Sequence, residues 1–257
     1  MALPSANFRV AVLRKTKLGE RDLILTMLAS DGSLMKAVAK GARKPTSPFS
    51  SRLELYCVAD VLVAQGRSLG IIQEARLVAA HAGLHSDIGK AACAAPVAEL
   101  LWRVAQEGLE VPRLFRFASA AFDSLDSCPY PASPRVCAAA LVKTLAFCGM
   151  HPTLDGCAIC GGALQQLHED GGQALFSFSE GGAICARCKG RAETVRVPAQ
   201  SLALMHTLLR STFEEVVALP DDQSGAFSVL QILGQWIRVH VGSSLKSLGF
   251  LFSCGLF

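Results

Sequence analysis

Hydrophobic and polar residues alternate with a two-residue period through most of the first 80 positions. Phe8, Val10 and Val12 share one side of an extended segment that continues into Arg14 and Lys15. Leu23, Leu25, Met27 and Ala29 form a second such side, with Ile24, Thr26 and Leu28 opposite. Successive side chains of a strand point to opposite faces of a sheet, so this pattern predicts strands with one face on a core. Ser30-Asp31-Gly32 is a turn signal, and residues 33–40 return as a third strand. Residues 41–52, with Pro45 and Pro48, read as a loop. Residues 53–64 read as a long fourth run, Gly66 as a turn and 69–78 as a fifth strand. Five short strands with a basic loop after the third predict a small barrel of the OB type; an SH3-like barrel fits the same pattern.

Near residue 80 the period changes to that of helices. Leu84, Ile88, Ala91 and Ala92 begin an apolar stripe, and Val97, Leu100, Leu101 and Val104 continue it. Pro96 lies within the stripe and is expected to split or kink the helix. Residues 112–125 predict another helix with Leu114, Phe117, Ala118 and Ala121 inward, and 134–148 a third. A short strand over 174–179, turning at Glu180-Gly181-Gly182, interrupts the helices. They resume at 198–210, where Pro198 suits a first turn. Asp221-Asp222-Gln223-Ser224 then offers N-caps for a last helix ending near Val241. The expected architecture is α+β and multidomain. An OB-fold barrel occupies residues 1–80, an all-α domain 81–152 and 193–257, and a ribbon 153–192 inserted in the helical part.

Cysteine spacing explains the interruption. Cys157-Ala158-Ile159-Cys160 and Cys185-Ala186-Arg187-Cys188 are two C-x-x-C knuckles separated by 24 residues. Each tight turn can aim two thiolates at one ion, and two such turns make a closed tetrahedral site for one structural Zn²⁺. Four thiolates leave no open position for water or substrate, which argues against catalysis at the metal. A zinc deaminase would also carry a Cys/His-x-Glu segment, which is absent. The other six cysteines, Cys57, Cys93, Cys128, Cys137, Cys148 and Cys254, sit mostly among apolar neighbours and are expected to be buried small hydrophobes.

Motifs for a phosphate loop, a nucleophile elbow or a His-Glu-x-x-His zinc protease are absent. His81 and His85 are spaced i,i+4 without a third ligand in view. The chain is therefore read as non-enzymatic. Without an 18-residue apolar run or a secretory leader pattern, a cytoplasmic protein is expected.

Charge separates the regions again. The net charge of +4 conceals ten Lys/Arg against three Asp/Glu in residues 1–52, a local +7 in a chain otherwise at −3. A concentrated positive segment suits a polyanion. Arg14, Lys15, Lys17, Arg21, Lys36, Lys40, Arg43, Lys44 and Arg52 are the candidate nucleic-acid contacts, DNA first among the possibilities. Phe8, Phe49 and Tyr56 are the aromatics of the first 80 residues, and Tyr56 reads equally well as core. Scarce stacking partners predict backbone-driven, salt-sensitive and largely sequence-neutral binding. Arg187, Lys189, Arg191 and Arg196, crowded at the second knuckle, offer a secondary DNA surface. Another ribbon-bearing nucleic-acid factor, tied to RNA, and a protein-interaction scaffold remain alternatives.

Several ordered motifs resemble the bacterial recombination mediator family RecO. They are Val12-Leu13-Arg14, Leu18-Gly19-Glu20-Arg21-Asp22, Asp31-Gly32, Ala37-Val38-Ala39-Lys40-Gly41-Ala42-Arg43-Lys44, and Leu69-Gly70 with Glu74-Ala75. Ala98-Glu99-Leu100-Leu101, Leu145-Ala146-Phe147-Cys148-Gly149-Met150-His151-Pro152 and Val241-Gly242 with Leu245-Lys246-Ser247 extend the resemblance along the chain. After Lys246-Ser247 stands Leu248-Gly249, where basic residues would be expected. The resemblance implies an OB fold, a helical domain with a zinc ribbon, and no turnover. It implies binding of ssDNA and dsDNA and annealing of complementary strands. It also implies action with RecR to load RecA onto DNA coated with single-strand-binding protein (SSB). A groove near Arg113, Arg116 and Lys143 is then expected to seat the SSB C-terminal tail.

Overall fold

The alternating segments form a closed five-stranded barrel in a computed structural model that describes residues 4–66, 68–164 and 172–256. Its strands are β1 (Ser5–Leu18), β2 (Asp22–Ala29), β3 (Leu34–Ala39), β4 (Val58–Ala64) and β5 (Gly70–Ala79). Their order, β1-β2-β3-β5-β4, closes between β4 and β1 and gives the OB-like arrangement. β3 and β5 are parallel and meet at Ala37↔Gly70 and Val38↔Ile71; the other neighbours are antiparallel. Val10, Val12, Leu25, Met27, Ala37, Val61 and Ile72 fill the interior, on the alternate positions that the pattern predicts.

The fourth strand begins later than its apolar run. Residues 53–57 form turns instead, because Tyr56 adopts a left-handed φ of 68° and folds inward. Its N–H donates to the Val12 carbonyl at 2.7 Å, and its ring packs against Phe122 with centroids 5.4 Å apart. Tyr56 is thus core rather than a stacking platform.

Three helices follow: α1 (Ala82–Ser86), α2 (Ile88–Val104) and α3 (Pro112–Ser127). They belong to the same compact unit as the barrel, Met1–Ser127. α2 packs on β1 and β2, and α3 on β1. This explains why Ala11, Leu13, Thr26 and Leu28, on the outer face of those strands, are buried too. The helical break falls at Asp87, not at Pro96. Asp87 is extended and its carboxylate accepts the N–H groups of Gly89 and Lys90, a strong N-cap. Pro96 lies buried inside α2, where Ala92, Cys93, Val97, Leu100 and Leu101 hold both halves of the helix in place. Its propensity cost, about 3 kcal/mol, is offset by that packing. Ile88, expected on the apolar stripe, is 67% exposed, and in α3 Phe115 and Phe122 are more deeply buried than Phe117.

His81 joins barrel and helices. It is buried, with Nδ1 at 2.8 Å from the Tyr56 carbonyl and Nε2 at 2.8 Å from the Asp123 carboxylate. His85 stacks beside Tyr56. The i,i+4 histidines therefore serve packing.

The second compact unit, Cys128–Phe257, is built on α4 (Ser133–Phe147). Against it pack α5 (Ala199–Arg210), α6 (Phe213–Ala218) and α7 (Gln223–His240); α8 (Lys246–Ser253) closes the chain. Asp222 caps α7 through the Gly225 N–H at 2.8 Å. The short α6 starts in a capping box between Thr212 and Glu215. It ends where buried Arg135 donates to the Val216 and Val217 carbonyls, which satisfies acceptors that a helix C-terminus leaves open. Among the described residues no helix is long and apolar enough to cross a membrane. Cys57, Cys93, Cys128 and Cys137 are buried as expected; Cys148 is exposed and Cys254 half-buried.

Candidate metal centre and nucleic-acid interface

The ribbon is a three-stranded sheet, β7-β6-β8, of β6 (Gln173–Ser177), β7 (Gly182–Ile184) and β8 (Val195–Pro198). β8 extends it beyond residue 192. Its base is fixed to α7: Phe176 packs edge-on to Trp236 at 5.7 Å, and His240 Nε2–H donates to the Phe178 carbonyl. The first knuckle closes through Gly161 N–H to Cys157 O and Cys157 N–H to Gly162 O, with Gly161 at a left-handed φ of 68°. The second opens a 3₁₀ turn, Ala186–Arg191, where Cys188 N–H donates to Cys185 O. Gly182 is dictated by close approach, since a Cβ there would lie 2.3 Å from the Thr153 carbonyl.

These turns bring the sulfurs of Cys157, Cys160, Cys185 and Cys188 within 4.8 Å of one another. Cys160 and Cys185 sulfurs are 3.8 Å apart. A tetrahedron of zinc–sulfur bonds of about 2.3 Å has edges of roughly 3.8 Å, so the cluster fits one tetrahedral ion. Burial opposes ionisation of Cys157, but backbone hydrogen bonds from Cys185, Cys160 and Ile159 bring its thiol down to about 6. Burial and the neighbouring sulfurs push Cys188 up to about 12. A bound dication replaces the protons shared among these four groups. A divalent ion with four thiolates keeps a double negative charge. Arg187, Lys189 and Arg191 are exposed on the adjoining 3₁₀ turn, and a Cβ at Gly162 would come within 3.1 Å of the Arg187 guanidinium and 3.4 Å of the Cys160 sulfur. With such an ion bound, these cations would have a local anion to balance. Arg196 lies exposed on β8.

On the barrel the nine candidate cations divide by their partners. Lys15 pairs with Glu54 and Lys36 with Glu107, each at 2.8 Å. Arg14 lies over the Trp102 ring at 4.9 Å, and Arg52 donates to the Ala75 carbonyl. Arg43 braces two loops: its Nη1 donates to the Gly19 and Glu20 carbonyls, and its backbone N–H to the Arg21 carbonyl. Asp22 accepts the Gly41 N–H at 2.7 Å in the same joint. The β1–β2 turn and the start of the β3–β4 loop are thus clipped together. This brings Lys17, Arg21, Lys40 and Lys44 to one end of the barrel, all exposed and without a carboxylate partner among the described residues. Two further arginines, Arg9 and Arg76, flank Asp60. Counting charge in residues 1–52 passed over Arg76; the outward positions of β5 were the signal that could have found it.

Arg113 and Arg116 are exposed on α3, whereas Lys143 on α4 donates to the Leu209 carbonyl at 2.8 Å. Burial lowers the Lys143 pKa against the opposing pull of Glu215.

Two family models match the chain: recombination protein O N terminal over residues 1–81, and recombination protein O C terminal over residues 85–249. The second begins within the helices that pack on the barrel.

Proposed function

Because the chain belongs to the recombination protein O family, whose role is in DNA recombination and repair, we propose that it is a non-enzymatic DNA-binding mediator. It binds single- and double-stranded DNA at the loop end of its barrel and anneals complementary strands. With RecR it helps RecA onto SSB-coated single strands, meeting the SSB tail through its helical part. The observation that carries this reading is the clipped pair of loops presenting Lys17, Arg21, Lys40 and Lys44. Strands repel through their phosphates, and a cationic surface that holds one strand lowers the repulsion toward a second. Base pairing then supplies the free energy. The Cys₄ cluster holds one structural Zn²⁺, a hard-wired staple with no part in a reaction.

Lys40→Glu/Lys44→Glu tests the interface without cutting the Arg43 brace. Each lost phosphate contact removes about 0.7 from the slope of log K against log salt on single strands. The double variant should therefore flatten the slope by about 1.4 and weaken binding most at low salt. Unchanged affinity at about 50 mM salt, where backbone contacts are strongest, refutes the assignment.

A further inference from the structure

The loop that begins in the cation cluster ends in a cleft. Its volume is about 610 Å³, and it opens between the start of β1, the middle of β4 and β5, and the loop's second half. Phe8 and Phe49 line it, both half-buried and packed against the barrel core. Arg9, Arg52 and Arg76 line it as well.

Strand register explains how the arginines are held. Arg9, Asp60 and Arg76 occupy one row across β1, β4 and β5. Arg9 Nε donates to Asp60 at 2.8 Å and Arg76 Nη2 at 2.7 Å. The Arg9 bond, then that of Arg76, brings the Asp60 carboxyl down to about 2, so it stays ionised and keeps both guanidiniums in place. Arg52 spends one N–H on the Ala75 carbonyl. With Glu74 also on the wall, three guanidiniums face two carboxylates and the cleft is net positive.

Resting on the DNA-binding reading above, we propose that this cleft takes an unstacked base of a single DNA strand, which stacks on Phe49, with its flanking phosphates on Arg52 and Arg76. Phe49 lies five residues beyond Lys44 on the same loop, so a backbone held at the cation cluster is led toward the ring. Every base has a π-face, so an aromatic platform beside guanidiniums adds affinity without reading sequence. The site thus supplies the stacking that a count of aromatic residues made look scarce.

The test compares two oligonucleotides of equal length and phosphate number, one of thymidines and one with a central run of abasic sites. Affinities are measured by fluorescence anisotropy with the full chain. Stacking of one base is worth about 1–3 kcal/mol, or roughly 5- to 150-fold. The wild type should bind the abasic strand more weakly by a factor in that range, with the same salt slope. Phe49→Leu, which keeps apolar contact but removes the ring, should lose a similar factor on the thymidine strand and nothing on the abasic one. Equal wild-type binding of the two strands overturns this inference alone, as does an equal loss on both strands in the variant. Should the variant unfold, the wild-type comparison decides by itself. Failure of both strands to bind at about 50 mM salt overturns the DNA-binding reading, and this inference with it.

Discussion

Sixteen buried residues from all five strands and the adjoining loop form the barrel's core cluster, among the described residues. The corresponding cluster in the ribbon is Cys157, Ile184 and Cys188, with a few half-buried neighbours. Two of those three are themselves candidate ligands. The barrel is held by apolar burial that any compact chain can use, whereas the ribbon buries Phe176 against α7 but leaves its knuckles only that small cluster to order them. Small metal-bound units of that kind fold only with their ion. The difference also sets where charge can be presented. Lys17, Arg21, Lys40 and Lys44 at the barrel's loop end face solvent without an ion-pair partner among the described residues, while the cations at the second knuckle sit beside the cysteine sulfurs.

Removing the metal should separate the two regions most sharply. Structural zinc contributes about 10–16 kcal/mol of apparent binding free energy in small sites. Cys157→Ser/Cys160→Ser should therefore lose the one zinc per chain proposed for the cluster and make the ribbon sensitive to limited proteolysis, while the barrel's own unfolding is retained. Metal analysis and mapping of the cleavage sites check this; a ribbon that resists protease without metal breaks the contrast. Leu25→Ala strikes the other side. Leu25 is fully buried in the barrel, and its truncation should cost about 2–5 kcal/mol in denaturant unfolding with zinc content unchanged. Loss of zinc in that variant would mean that the two regions are not independent.

The smallest effect concerns the barrel's surface ions. Asp60 has a depressed pKa of about 2, caused first by the Arg9 hydrogen bond and then by that of Arg76. Its contribution is present above the usual carboxylate range, near pH 4, and is lost as pH falls toward 2. Arg76 is 79% exposed, so the contribution is below about 1 kcal/mol. Asp60→Asn should thus differ slightly from wild type at pH 6 and converge with it near pH 2, as followed by thermal unfolding. A gap that widens on acidification would reverse the sign.

Much of this is legible in the sequence. Strand alternation placed all five barrel strands, the knuckle spacing foretold the sulfur cluster, and Asp222 capped the helix it was expected to cap. What escaped was non-local. The partners of Arg9, Lys15 and Lys36 lie 51, 39 and 71 residues away, beyond any window of periodicity. β8 is four residues long and exists because β6 offers it an edge, so no pattern announces it. Pro96 misled because a local penalty was weighed without the packing that overrides it. Tyr56 and His81, both at positive φ, are set by each other across 25 residues.

The short parallel contact between β3 and β5 has its own consequence. Two residue pairs zip the cylinder there, against seven or eight at the β1–β4 and β1–β2 joins. Parallel pairing is also the weaker kind per residue. If the cylinder breathes, it parts along this line, and the segment bridging the gap is the one that bears Lys40, Lys44 and Phe49. The proposed grip on a strand of DNA and the most easily opened join of the barrel are thus mechanically one element.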